Sequence, residues 1–123
     1  MPDSLTLATA CAKYANEIQA EGIEVLDLRG ISSLADFFVI CSATSLPHLK
    51  AVSRDVRHNT KEETGEGPRS SEGEASSQWL VLDYVDVVVH IFHEEKRDFY
   101  ALEDLWSDAP RVELEFLSEN ASN

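Results

Sequence analysis

Positive charge is what this sequence has least of: 10 Lys and Arg stand against 23 Asp and Glu in 123 residues, a net charge of −13. Contacts to nucleic-acid phosphates need clustered Lys and Arg to displace counterions, so this balance argues strongly against direct nucleic-acid binding, and no direct DNA binding is expected. A basic protein is the better expectation for a partner. Long apolar runs are missing too. None approaches the roughly 20 residues that span a bilayer, and the N-terminus lacks the charged-then-apolar pattern of a signal, so no membrane association and a cytoplasmic location are expected. There are only two cysteines, Cys11 and Cys41, without CxxC spacing, which favours reduced buried thiols over a disulfide. No Walker or Rossmann glycine pattern, internal repeat or inter-domain linker occurs. No cofactor is implied.

What is present is one domain's worth of chain, with 43% aliphatic and aromatic residues, enough for a core without staples. Its organising stretch is 79–92, WLVLDYVDVVVHIF. Two β-branched and aromatic runs, 79–82 and 87–92, flank a polar break at 83–86, the pattern of a hairpin at the centre of a sheet. Their nearly continuous apolar character requires cover on both faces over most of their length.

Along the chain, Ser4 is positioned to cap a helix bearing Leu7, Cys11, Tyr14, Ala15 and Ile18 on one side, with Gly22 as its stop. Strands are expected at 23–28 and 36–42. Ser45 caps a second helix, with Leu49, Val52 and Val56 on one face and Lys50, Arg54, Arg57 and Lys61 over the rest, closed by Gly65. A mobile loop follows at about 64–78. After the hairpin, 94–106 reads as one or two short helices. The order predicts an α/β (α+β) fold, a mixed β-sheet with helices packed on it, in a single domain over 1–108. Residues 109–123 are expected to form an acidic, partly disordered tail, in which Val112, Leu114 and Phe116 alternate as an edge strand would.

The search for chemistry yields little. His90 and His93, three apart on a strand, point to opposite faces and cannot share a metal ion. His90 has no recognisable nucleophile beside it, and a core histidine is the commoner case. Gly30, Ser32 and Asp36 resemble the opening of a nucleotidyltransferase site, but that chemistry needs a second carboxylate two positions on, where Phe38 stands. Surface aromatics are the other signal. Trp79, Tyr84, Tyr100 and Trp106 are types enriched at interfaces, and with Asp83, Asp86, Glu94, Glu95, Glu103 and Asp104 they would make an apolar patch framed by acid.

The segments SSLADFFVICSATS (32–45), WLVLDYVDVVVHIF (79–92) and RDFYALEDLW (97–106) together resemble the ribosomal silencing factor family, RsfS or Iojap, over about 5–108. The resemblance implies a degenerate nucleotidyltransferase-like fold without catalytic, metal or cofactor residues. It implies binding to the large ribosomal subunit through a basic ribosomal protein of the L-fourteen family, and a steric block to small-subunit joining when nutrients are short. The residues expected to meet the partner are Trp79, Asp83, Tyr84, His90, Arg97, Tyr100, Leu102, Glu103 and Trp106. A homodimer of the free protein stays open. Two alternatives stand beside this reading, a metal-dependent nucleotidyltransferase and a protein adaptor with no ribosomal role. One departure from the family pattern is Val85, where glycine is usual: a β-branched residue disfavours positive φ, so another turn geometry is expected there.

Overall fold

The computed structural model describes residues 3–73 and 78–116, apart from the side chains of Phe99 and Tyr100. Its elements run α1 (Ser4–Glu17), β1 (Glu21–Asp27), β2 (Phe37–Ala43), α2 (Leu46–Thr64), β3 (Ser70–Glu72), β4 (Trp79–Asp83), β5 (Val87–His93), α3 (Glu94–Tyr100) and α4 (Leu102–Leu105). The five strands form one mixed sheet in the order β1-β2-β5-β4-β3, with β2 and β5 parallel and the other pairs antiparallel. The expected α+β class and mixed sheet are found. No helix among the described residues is long and apolar enough to cross a membrane.

Strand alternation divides the core. One sheet face, carrying Val25, Val39, Cys41, Leu82, Val89 and Ile91, is covered by α1 and α2 through Ala8, Cys11, Leu49, Val52 and Val56. The other carries Leu26, Phe38, Ile40, Val88, Phe92 and Trp79 and, among the described residues, is met by Leu28, Ala35, Leu102, Trp106 and Ala109. β2 is buried along its whole length, whereas four of the five β4 residues are half-buried. Cover on both faces, expected over most of the length of both strands, therefore holds for β5 and fails for β4.

Several local expectations change for physical reasons. Asp3, not Ser4, caps α1, accepting the Thr6 N–H at 2.7 Å, while the Ser4 hydroxyl donates to Asp36 Oδ2 at 2.8 Å. Helix α1 ends at Glu17, before the left-handed Gln19 (φ 65°), and Gly22 lies inside β1, where the pairing register shifts between Glu21 and Glu24. Glycine serves a β-bulge as readily as a helix end. Ser45 and Gly65 cap α2 as expected, Gly65 at φ 81°. Within the expected mobile loop, Ser70–Glu72 pair with β4, and 74–77 lie outside the described residues.

At the C-terminal end, Ala109 and Leu114 are buried. Pro110 O accepts the Asp27 N–H and the Val112 N–H donates to Val25 O, both at 2.8 Å. Residues 109–116 are thus folded against β1, by an isolated bridge between Arg111 and Leu26 rather than by the expected edge strand. Residues 117–123 of the expected tail lie outside the described residues.

Val85 adopts φ 79°, so the turn keeps the left-handed geometry that its β-branched side chain disfavours. Asp83 Oδ1 accepts the Val85 N–H at 2.7 Å and holds the turn.

Candidate functional site

The half-covered sheet face gathers most of the expected partner residues. Register places Trp79 opposite Phe92 and Val81 opposite His90 on the β4–β5 pair, and Phe38 beside Val88 on β2. Trp79 stacks on Phe92 with ring centroids 4.9 Å apart, and its indole N–H donates to His90 Nδ1 at 3.2 Å. Phe38 meets both His90 (4.7 Å) and Trp106 (6.1 Å) edge-on. Trp79, Leu102 and Trp106 remain half-buried, and Leu105, the last residue of α4, is 73% exposed.

His90 is 8% exposed. Because Nδ1 accepts from the indole, the ring proton belongs on Nε2, and that atom has no hydrogen-bond partner among the described residues. Burial lowers its pKa to about 4 from 6.5, so the ring is neutral at pH 7. A buried N–H left unsatisfied costs roughly 1–3 kcal/mol, which marks this position as one where a further acceptor would be stabilising.

Arg97 closes one border of the face. Its guanidinium pairs with Glu103 at 2.7 Å and Glu24 at 2.9 Å, donates to Ser42 Oγ at 3.0 Å, and reaches the Gly22 carbonyl in the β1 bulge. Its side chain is 12% exposed, so this expected partner residue instead ties α3 and α4 to the sheet. Burial alone would raise the Glu103 pKa, but the Arg97 bond and a backbone N–H outweigh it and hold the carboxyl below its ordinary value. Arg111 completes the attachment, bonding Glu24 Oε1 and the carbonyls of Glu103, Trp106 and Ala109.

Tyr84 does not join this surface. One position beyond Asp83, it faces the opposite side of the sheet, is buried, and shares a 2.8 Å hydrogen bond with the Thr60 hydroxyl; burial raises its pKa. Asp83 has the parity of Trp79 but lies at the far end of β4, paired with Arg69 at 2.7 Å, a bond that lowers its pKa. The Tyr100 side chain lies outside the described residues. Sequence reasoning missed Phe92, Val88 and Arg111 as parts of the face. Strand parity could have found the first two, since 88, 90 and 92 share a side.

The transferase signature is put to other uses. Asp36 accepts from Ser4, Ser32 Oγ accepts the Leu34 N–H, and Phe38 packs on His90. His93 caps α3, its Nδ1 accepting the Glu95 N–H. Among the described residues no cluster of three or more His, Cys, Asp or Glu could hold a metal ion. Cys11 and Cys41 are free and buried, and burial pushes both thiols up to about 12.

Fold and site together define a class: a small α+β domain with two helices on one sheet face and a half-open aromatic surface on the other. The chain belongs to the ribosomal silencing factor family, whose model, described as "Ribosomal silencing factor during starvation", matches residues 1–123. It is 39% identical over 109 residues to the ribosomal silencing factor RsfS of Bacillus subtilis, covering 89% of this chain and 88% of that one. It is 33% identical over 115 residues to the chloroplastic protein Iojap of Arabidopsis thaliana, covering 93% of this chain and 47% of that one. Two crystal structures are similar. A protein from Chromobacterium violaceum superposes with a TM-score of 0.80 at 27% identity, covering 86% of this chain and 88% of that one. One from Bacillus halodurans has a TM-score of 0.76 at 33% identity, covering 90% and 100%.

Proposed function

We propose that this chain lowers translation by seating its half-open aromatic face on a basic ribosomal protein of the L-fourteen family on the large subunit, so that the small subunit cannot join. The observation that carries the reading is the gathering of Trp79, His90, Leu102 and Trp106 on one sheet face that helices α1 and α2 leave uncovered. Such a surface supplies what an interface needs: aromatic anchors at its centre and a polar rim at Glu103 and Glu24. Blocking is then steric and requires no turnover.

The acidic balance of the chain suits a basic partner, and charge complementarity acts mainly on the encounter rate. Sedimentation with isolated large subunits tests the reading, followed by light scattering as small subunits are added. Co-sedimentation and a reduced yield of joined ribosomes support it. A protein that stays at the top of the gradient at moderate salt overturns it.

A further inference from the structure

Helix α2 carries a feature at odds with the composition of the chain. Lys50, Arg54, Arg57 and Lys61 are all exposed, and their spacing of four, three and four residues aligns them within about 60° of the helix circumference over roughly 17 Å of its length. They are four of only ten basic residues in the chain. The helix buries Leu49, Val52, Ser53, Val56 and Thr60 against the sheet, and its own carboxylates lie off the stripe. Glu63 turns toward α1 to pair with Lys13 at 2.9 Å, and Asp55 and Glu62 fall on the far flank. Of the four cations, only Arg54 has a carboxylate partner among the described residues, its neighbour Asp55 at 3.2 Å on the open surface, where such a pair contributes little. Arg57 and Lys61 lean on the carbonyls of Ser53 and Gly65, which leaves their charge uncancelled.

We infer that this stripe is a second contact surface that grips the phosphate backbone of ribosomal RNA while the opposite, aromatic face holds the ribosomal protein. The inference rests on the proposed ribosomal function. Its own argument is charge complementarity: four aligned cations, of which only Arg54 is paired, match a polyanionic strand, whereas an acidic protein surface would meet the same repulsion from the flanking Asp55 and Glu62 with less local charge density to offset it. The net charge of −13 sets the limit on this contact. At physiological salt, charges on the far side of the domain are screened over about 8 Å, so a local grip is compatible with an acidic chain. Unaided capture of free nucleic acid is not. The RNA contact therefore strengthens a complex that the aromatic face has already formed.

The experiment compares wild type with a Lys50→Gln, Arg54→Gln, Arg57→Gln, Lys61→Gln variant on purified large subunits, across a salt titration and with hydroxyl-radical footprinting of the RNA backbone. Glutamine keeps helix propensity, and all four positions are exposed, so the fold is retained; the single Lys50→Gln change gives the same effect at about a quarter of the size. The expected result is roughly tenfold weaker binding, a log-log salt slope shallower by about 3 on the single-strand value of ~0.7 per phosphate, and loss of a protected RNA segment. Equal affinity and slope overturn the inference alone, as does weaker binding with an unchanged RNA footprint, which would assign the stripe to an acidic protein. A wild type that binds no subunits overturns the functional reading and this inference with it.

Discussion

Arg97 Nη1 occupies the space that a side chain on Gly22 would need: a Cβ built on Gly22 would stand 2.5 Å from it. The two residues are 75 positions apart, and the glycine, at φ 57°, shapes the β1 bulge whose carbonyl receives the guanidinium. Gly22→Ala should therefore cost about 2–4 kcal/mol, combining left-handed strain with displacement of the guanidinium from Glu24 and Glu103. In a double-mutant cycle with Arg97→Ala, the steric part of that cost disappears, so the two changes together should destabilise by less than their sum. Strict additivity in urea melts would show that the two sites do not communicate.

Val85 holds φ 79° and is 49% exposed, so little apolar contact offsets the strain of a left-handed β-branched residue, about 1–2 kcal/mol. Val85→Gly should raise stability by roughly 1 kcal/mol even after the extra entropy of the unfolded glycine. A thermal melt that moves downward would mean that the Val85 side chain makes a stabilising contact.

His90 should make the fold acid-sensitive above the carboxylate range. Its pKa is about 4 folded, against 6.5 ordinarily, so between these values the unfolded chain binds the proton and the folded one does not. Stability is then complete above pH 6.5 and declines as pH falls toward 4, by about 3 kcal/mol over the interval. Urea midpoints at pH 7.5 and 5.0 should differ clearly in wild type and much less in His90→Gln. A flat wild-type profile over that range would refute the prediction.

Trp79 is half-buried, stacked on Phe92 and bonded to His90. Trp79→Ala should cost about 2 kcal/mol of stability, tolerable for a domain of this size, and at least ~2 kcal/mol of large-subunit affinity. Trp79→Phe should preserve most of the stacking while losing the indole bond. If the alanine variant stays folded and co-sediments as well as wild type, Trp79 has no part in docking.

How much was legible in the sequence depended on whether the deciding force was local. The Ser45 and Gly65 caps and the apolar runs of β2 and β5 carry their own signals, and all four features stand where the pattern places them. β3 could not be read, because Ser70, Ser71 and Glu72 have little strand preference and extend only by pairing with β4. Tyr84 was misplaced for want of a register: a step of one residue from Asp83 changes the sheet face, and an aromatic residue suits either side. Arg97 was misread because nothing in its charged neighbourhood shows that it reaches back to Gly22, Glu24 and Ser42.

The borders of the sheet bear on how the protein can be joined to anything else. β1 is flanked by the returning chain, with Pro110 accepting a hydrogen bond from Asp27 and Val112 donating one to Val25, and β3 at the other border is three polar residues long. Strand-to-strand polymerisation, the common hazard of an open sheet, finds no long apolar template at either border. A partner that recognises its targets by adding a strand gains little purchase here, so specific association has to proceed through side chains on a face or a helix. Variants that shorten or detach 109–116 would uncover β1 and should be watched first for self-association.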